Sequence, residues 1–363
     1  MKAGIVGLPN VGKSTLFNCL SNSKAQSANF PFCTIEPNIG IINVPDERLE
    51  RLEKLVNPEK TIPANVEIVD IAGLVKGASK GEGLGNQFLA NIRETDAIIH
   101  LIRCFDDNNI VHVDGSVNPI RDKETIDIEL QLKDLETVQK KIEKTKRNAK
   151  TGNKESIKEL NTLVKIESHL ESFNPVRSMD FNLEEKKICN SLQLITQKPV
   201  LYVCNVDESS VINGNNYVSS LKNLIEKENA EMIVLAVATE ADINELENFE
   251  DRKEFLADIG LNEPGSSVLI KKAYSLLNLQ TFFTVGKKEV KAWTIIKGMT
   301  AQKSAGVIHT DFEKGFIKAE VISFSNFISI GSEVKVREAG KLKIEGKDYI
   351  LSDGDIMHFR FNV

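Results

Sequence analysis

Gly7-Leu8-Pro9-Asn10-Val11-Gly12-Lys13-Ser14-Thr15 carries the spacing G-x-x-x-x-G-K-[ST]. Each piece has a physical reason. Glycines let main-chain N–H groups close around phosphate oxygens, and the positive end of a following helix adds to the cradle. Lys13 brings a cation to the β- and γ-phosphates, and Ser14 offers a hydroxyl to Mg2+. The context that the motif requires is present: the apolar run Ala3–Val6 before it and a helical pattern from Thr15 to Leu20 after it. These residues predict a phosphate-binding loop.

Asp70-Ile71-Ala72-Gly73 closes a second apolar run, Val66–Val69. An Asp at a strand end is where such folds hold Mg2+ through water, and the Gly73 amide is placed to meet a γ-phosphate. Between the two motifs, the segment Asn29–Pro37 carries Thr34, a second hydroxyl for the metal. Further on, Leu201–Cys204 ends in Asn205-Val206-Asp207-Glu208. A guanine site written N-K-x-D uses its Asp to accept from N1–H and the 2-amino group. Here Val206 replaces the lysine, Glu208 replaces the Asp with one extra methylene, and Asp207 comes one position early. Guanine readout is weakened by that change of reach. Asn205 can still read a purine edge and the main chain around Val206 can face the ring, so adenine is admitted. Leu74 stands where Ras-like GTPases place a water-orienting glutamine, so hydrolysis has to be slow or draw on another group. His112, in a loop after a strand, is positioned to be that group, whereas His100 lies inside an apolar run and reads as a core histidine. The glycine-rich stretch Lys76–Gly85 is expected to be mobile until nucleotide or a partner orders it.

Several elements must position these residues. Ala3–Val6, Val66–Val69, Ala97–Ile102, Val200–Cys204 and Met232–Val237 are short, nearly continuous apolar runs, as strands buried on both faces of a parallel sheet are. A sheet begun before residue 7 and completed after residue 200 implies an insertion. From Asp122 to Ser172 there is no Trp, Tyr or Pro, and Leu135, Val138, Ile142, Ile157, Leu160 and Val164 fall at helical spacing around a turn at Lys150–Asn153. Two antiparallel helices in a coiled-coil hairpin account for that pattern, with its charge as a solvated face or a partner-contacting arm. After residue 278, Trp293–Ile296, Phe316–Val321 and Ile356–Phe359 read as strands of a small α+β domain. The expected division is 1–121 with 199–277 for nucleotide binding, 122–198 for the helical insertion, and 278–363 for the last domain.

At 363 residues the chain suits two or three domains. Lys+Arg 46 against Asp+Glu 52 gives a net charge of −6, which argues against whole-surface attraction to nucleic acid but not against a local basic face; no DNA partner is expected. No apolar run approaches the roughly 20 residues of a membrane span. The five cysteines are scattered, without paired zinc spacing, and fit a reducing, cytoplasmic setting.

Taken together, Gly7–Thr15, Asn29–Asn38, Asp70–Asn86, Asn91–Thr95, Asn205–Glu208, Thr300–Glu320 and the terminal Phe359–Val363 resemble the YchF family of Obg-related P-loop NTPases from end to end. The resemblance implies an α/β fold: a P-loop G-type domain with a mostly parallel sheet, an inserted antiparallel helical coiled coil, and a C-terminal α+β TGS domain of β-grasp type. It implies ATP hydrolysis, with GTP used weakly, and association with the whole ribosome and its large subunit in a regulatory role in translation. It also implies that Asn10, Val11, Gly12, Lys13, Ser14 and Thr15 contact phosphates, that Ser14 and Thr34 coordinate Mg2+, and that Val206 lies against the base. A histidine matching His112 is implicated in the family's hydrolysis. Ribosomal RNA contacts would fall to the TGS and coiled-coil segments. In the former, Lys287, Lys288, Lys291, Lys297 and Lys303 surround Trp293, as an RNA-stacking platform or as a solvated rim on a core indole.

Overall fold

The computed structural model describes residues 1–22, 39–71, 84–228 and 230–362, which gather into two compact units. The first comprises Met1–Gly40 and Glu67–Leu269, and the second Ile41–Val66 and Ile270–Val363. From the N-terminus the chain forms β1 (Lys2–Val6), α1 (Lys13–Asn22), β2 (Ile39–Asn43), α2 (Glu47–Val56), β3 (Lys60–Ile62) and β4 (Asn65–Asp70). There follow α3 (Leu84–Arg93), β5 (Ala97–Arg103), α4 (Pro119–Ala149), α5 (Lys154–Glu171), α6 (Leu183–Leu192) and β6 (Val200–Asn205). Next come α7 (Asn216–Ile225), β7 (Glu231–Leu235), α8 (Val237–Glu245), α9 (Phe249–Asp258) and α10 (Gly265–Leu276). The remaining strands are β8 (Leu279–Val285), β9 (Glu289–Ile296), β10 (Phe316–Ile322), β11 (Lys343–Glu345) and β12 (Ile356–Phe361).

The first sheet has the order β2-β4-β1-β5-β6-β7. β1 pairs in parallel with β4 and β5, β5 with β6, and β6 with β7. Every residue of β5 and β6 is buried, which is why both appear in the sequence as nearly continuous apolar runs. Parallel pairing brings the ends of β1, β4, β5 and β6, at Val6, Asp70, Arg103 and Asn205, to one edge, where open α/β sheets place ligands.

The insertion leaves that edge after β5. Asn118 caps α4 by accepting from Arg121 N at 3.2 Å, and Pro119 fits the first turn, where no intrahelical N–H is needed. After 31 residues the chain reverses through Gly152 (φ 82°), and Asn153 caps α5. Val138, Ile142, Leu163, Ile166 and Leu170 interlock along the hairpin, with Leu135 and Leu160 packed against them. Ile157 and Val164, expected on the same seam, are exposed, because the buried face of α5 runs through Leu163, Ile166 and Leu170. A third helix that the spacing did not announce, α6, adds Cys189 to the same core. Asp134, fully buried, accepts from Ile195 N (2.8 Å), Thr196 N (2.7 Å) and Thr196 Oγ1 (2.7 Å), tying α4 to the segment that returns to β6.

The second unit holds a sheet of order β11-β10-β12-β8-β9-β3 over a core that includes Phe282, Ile295, Ala305, Val321, Met357 and Phe359. Its strands β8 to β12 lie after residue 278, and β3 joins them from far earlier in the chain. Ile41–Val66, left with the nucleotide-binding domain on sequence grounds, belongs to this unit. β3 pairs in parallel with β9, Lys60 opposite Glu289. Arg48 of α2 binds Asp46 and Asp353, both at 2.8 Å, and lies over the Phe283 ring at 5.4 Å. Trp293 is half-buried and packs against this core. Its Nε1–H donates to Thr284 Oγ1 at 2.9 Å, its ring runs nearly parallel to Phe282, and Lys291 Nζ sits 3.6 Å from its centroid.

Candidate functional site

The loop between β1 and α1 has the backbone that a phosphate cradle needs. Asn10 and Gly12 adopt left-handed φ values of 62° and 95°. Gly12 suits that conformation, and a Cβ there would also stand 2.9 Å from Asn205 Nδ2. At Gly7 a Cβ would meet the Leu101 carbonyl oxygen at 2.5 Å, so only glycine lets the loop pass β5. α1 begins at Lys13, which places Ser14 and Thr15 in its first turn. Lys13 is buried, with Nζ donating to Leu8 O at 3.0 Å. Burial lowers its pKa, and the charge of Asp70 pulls the other way.

Ser14 Oγ lies 3.5 Å from Asp70 Oδ2 at the end of β4. Asp70 Oδ1 is buried and has no hydrogen-bond partner among the described residues. A carboxylate oxygen in that position asks for a cation or an ordered donor. Two hard oxygen ligands of this kind fit Mg2+. The remaining expected ligand, Thr34, lies outside the described residues, as do Gly73, Leu74 and the stretch Lys76–Gly83.

On the base side, Asn205 also has a structural role. Its side chain is buried, Nδ2 donates to Val11 O at 2.9 Å, and Oδ1 accepts from Val237 N at 3.0 Å. With one N–H and one lone pair the amide ties β6 to the phosphate loop and to the start of α8, and its second N–H and second lone pair remain for a purine edge. Val206 is buried, with its N–H given to Leu235 O at 2.9 Å. Glu208 is drawn toward α8, where Thr239 Oγ1 donates to its Oε2 at 3.4 Å. Asp207 instead accepts from Ser209 Oγ at 2.5 Å, and that contact lowers its pKa.

His112 sits on a loop that touches the cradle, because Asn10 Nδ2 donates to Val111 O at 3.1 Å. Both ring nitrogens are engaged. Nε2 pairs with Asp122 Oδ2 at 2.8 Å, and Nδ1 accepts from Asp114 N at 3.1 Å. His112, Asp114 and Asp122 bring ligand-type atoms within 4.8 Å of one another. Arg121 already bonds both carboxylates, Asp122 at 3.0 Å and Asp114 at 3.5 Å, so the group is a satisfied ion-pair knot. His100 is the core histidine its surroundings predict, tilted against Tyr202, and burial lowers its pKa to about 3.

Two residues of this edge escaped sequence reasoning. Arg103, fully buried, donates to Phe105 O, Asp107 O and Ile110 O, and so holds the loop that carries His112. A charged residue ending an otherwise apolar run was its signal. Asp122 had none, since its pairing with His112 depends on the path of the intervening loop.

A glycine-bearing loop between a buried parallel strand and a helix, a strand-end Asp beside the helix's first hydroxyl, and an Asn tying the base side to the loop define a P-loop NTPase of the G-type fold. Comparison with known proteins agrees. Residues 2–146 match a family described as 50S ribosome-binding GTPase, and residues 279–362 match the YchF GTPase C-terminal family, described as a protein of unknown function (DUF933). The chain is 52% identical to the ribosome-binding ATPase YchF of Bacillus subtilis over 365 residues, covering 100% of both chains. It is 53% identical to the protein of the same name from Escherichia coli O157:H7, covering 100% of this chain and 99% of that one. The solved YchF GTPase of Schizosaccharomyces pombe superposes with a TM-score of 0.90 at 38% identity, over 99% of this chain and 97% of that one. The chain belongs to the YchF family. Among the described residues, no helix is long and apolar enough to cross a membrane.

Proposed function

We propose that this chain is a cytoplasmic, Mg2+-dependent ATPase that hydrolyses ATP to ADP and phosphate in preference to GTP and binds the ribosome through its large subunit. The observation that carries the ATP reading is the state of Asn205–Glu208. A guanine-specific site fixes a carboxylate opposite N1–H and the 2-amino group. Here that position falls to Glu208, longer by a methylene and held by Thr239. The names of the bacterial relatives support the reading for both nucleotide and ribosome. Names in which GTPase appears support the competing reading, a GTPase of the same fold.

The chemistry is in-line attack of water on the γ-phosphate, and the chain's contribution is positioning and charge. Main-chain N–H groups of Asn10–Thr15 bind the phosphate oxygens, and Lys13 exchanges its bond to Leu8 O for one to the nucleotide. Ser14, Thr34 and Asp70 would hold Mg2+, which would supply neutralising charge to the phosphates when bound. By its place in the motif, the Gly73 amide would meet the γ-phosphate. His112 orients the water: its 3.1 Å bond to Asp114 N opens, while the shorter, buried pairing with Asp122 keeps the ring in place.

The test is equilibrium affinity for ATP and GTP measured side by side with Mg2+. A preference for GTP of tenfold, about 1.4 kcal/mol, overturns the ATP reading. Retained nucleotide affinity and hydrolysis in a Lys13→Ala chain overturns the site.

A further inference from the structure

One face of the second unit's sheet is only partly roofed. β10 and β12 run antiparallel, with Glu320 opposite His358 and Ile322 opposite Ile356. These four side chains therefore share the face turned away from the core of Val321, Met357 and Phe359. Over that face α2 stops at Val56, where Asn57 takes a left-handed φ of 47°. A short helix, Phe324–Ile330, stops where Gly331 turns at φ 94°, and the next helix begins only at Glu333. Between these helix ends lies a cavity of about 370 Å³, lined by Val56, Val285, Ile322, Phe327, Val334 and Ile356. Its size and apolar walls are those of a small-molecule site. Glu320 also lines it, with a side chain only 8% exposed. Its Oε2 accepts from Arg337 Nη2 at 3.2 Å and from Arg360 Nη2 at 3.3 Å, while Oε1 has no hydrogen-bond partner among the described residues. Burial raises the pKa of this carboxyl, and Arg360, Arg337 and His358 together lower it by more, so it stays ionised. The other charges at the wall are balanced or turned aside: Glu333 shares Arg337 at 3.3 Å, and Lys287 Nζ donates to Val56 O at 2.9 Å.

We propose that this cavity binds a neutral, mostly apolar small molecule carrying one N–H or O–H donor, of the indole or phenol class. The apolar walls favour an occupant that gives up little hydration. Arg337 and Arg360 already balance Glu320 and Glu333, so a charged ligand would bring an uncompensated charge into an apolar place, whereas a neutral donor brings none. What the wall lacks is one donor for Glu320 Oε1, and a hydrogen bond to an ionised acceptor is the stronger kind. A flat ring with a single polar edge meets both demands, its face on Ile322 and Phe327 and its N–H or O–H on the carboxylate. Every lining residue belongs to 41–66 or 270–363, so the inference is independent of the nucleotide reading.

The test uses the full chain, methyl-labelled at Ile, Leu and Val, and two probes of one shape: indole, and benzofuran, which has an oxygen in place of the N–H. Titration followed by methyl NMR is expected to give saturable indole binding with a Kd of about 1 mM or below, moving the Ile322 and Ile356 signals. Benzofuran should bind at least tenfold more weakly, because it leaves the charged acceptor unpaired. In Glu320→Met, whose former guanidinium partners are half exposed and can turn to water, the two probes should bind equally. If urea unfolding shows that this variant does not fold, the indole-to-benzofuran ratio of the parent chain decides alone. Indole that fails to saturate at several millimolar, or that saturates without moving Ile322 and Ile356, overturns the proposal. So does a parent chain that binds benzofuran as tightly as indole, and so does a folded Glu320→Met chain that still prefers indole.

Discussion

Asn205 offers the sharpest test of how the site is built. Its amide is buried and makes two main-chain bonds, to Val11 O at 2.9 Å and from Val237 N at 3.0 Å. Truncation in Asn205→Ala leaves a buried carbonyl and a buried N–H unpaired, at about 1–3 kcal/mol each. A water entering the space recovers part of that loss, so about 2 kcal/mol is the expected penalty on holding Val11 in place. If the penalty appears in nucleotide binding, affinity falls roughly thirtyfold. Asn205→Asp keeps the acceptor for Val237 N–H but sets a carboxylate against the Val11 carbonyl, so it should do no better than Ala. Because both of the amide's bonds support the loop, its loss should weaken ATP and GTP by the same factor in both variants. Equilibrium titration of the two nucleotides with Mg2+, with urea unfolding to verify folding, measures this. Folded variants that bind ATP within twofold of the parent chain, or that change the ATP-to-GTP ratio, would refute the reasoning.

Other positions yield equally direct expectations. Asp70→Asn exchanges a buried, unpartnered carboxylate oxygen for an amide, so the Mg2+ concentration giving half-maximal hydrolysis should rise at least tenfold; an unchanged Mg2+ titration would contradict the assignment. Asp134→Ala strands two N–H groups and a hydroxyl in a fully buried place, and urea unfolding should register a loss of about 3 kcal/mol or more. His100, lowered to about 3, stays neutral in the fold while the unfolded chain takes up a proton below about pH 6.5. Protons then favour the unfolded state, so stability falls as pH drops from 6.5 toward 3, by up to about 1.4 kcal/mol per pH unit. Replacing His100 with Phe should make the decline in urea midpoint between pH 7 and pH 5 shallower, and identical declines would show that His100 is not the group responsible.

The parts legible in the sequence were those whose meaning is local. Gly7–Thr15 announces its own backbone, because left-handed Gly12 and the close pass of Gly7 over Leu101 O are built into the spacing. Buried strands such as Ala97–Arg103 appear as apolar runs because both faces are covered. The hairpin turn at Lys150–Asn153 was readable from its glycine and its cap. Pairings across long stretches of chain were not readable. Nothing in Asp122 says that it meets His112, nothing in Asn205 says whether its amide faces a base or a carbonyl, and Lys60–Ile62 gives no sign of the strand it joins. The period of α2, with Leu49 and Leu52 buried, shows that it has an apolar face but not which sheet that face covers.

That last pairing governs how the molecule is made. β3 waits for β9, which begins 229 residues later in the chain. At a synthesis rate of roughly 5–20 residues per second, the wait is on the order of 10 to 45 seconds. Throughout it, Leu49 and Leu52 emerge without the elements they finally pack among. The first unit can close its sheet only around a segment that is not yet folded, since β2 and β4 flank it in the chain. Residues 44–64 are therefore an open loop on a nascent protein, and their capture by the last hundred residues is the step that completes the chain. A messenger truncated before β9 would release a product with an intact phosphate cradle and a permanently uncovered amphipathic helix, which is a substrate for chaperones and proteases.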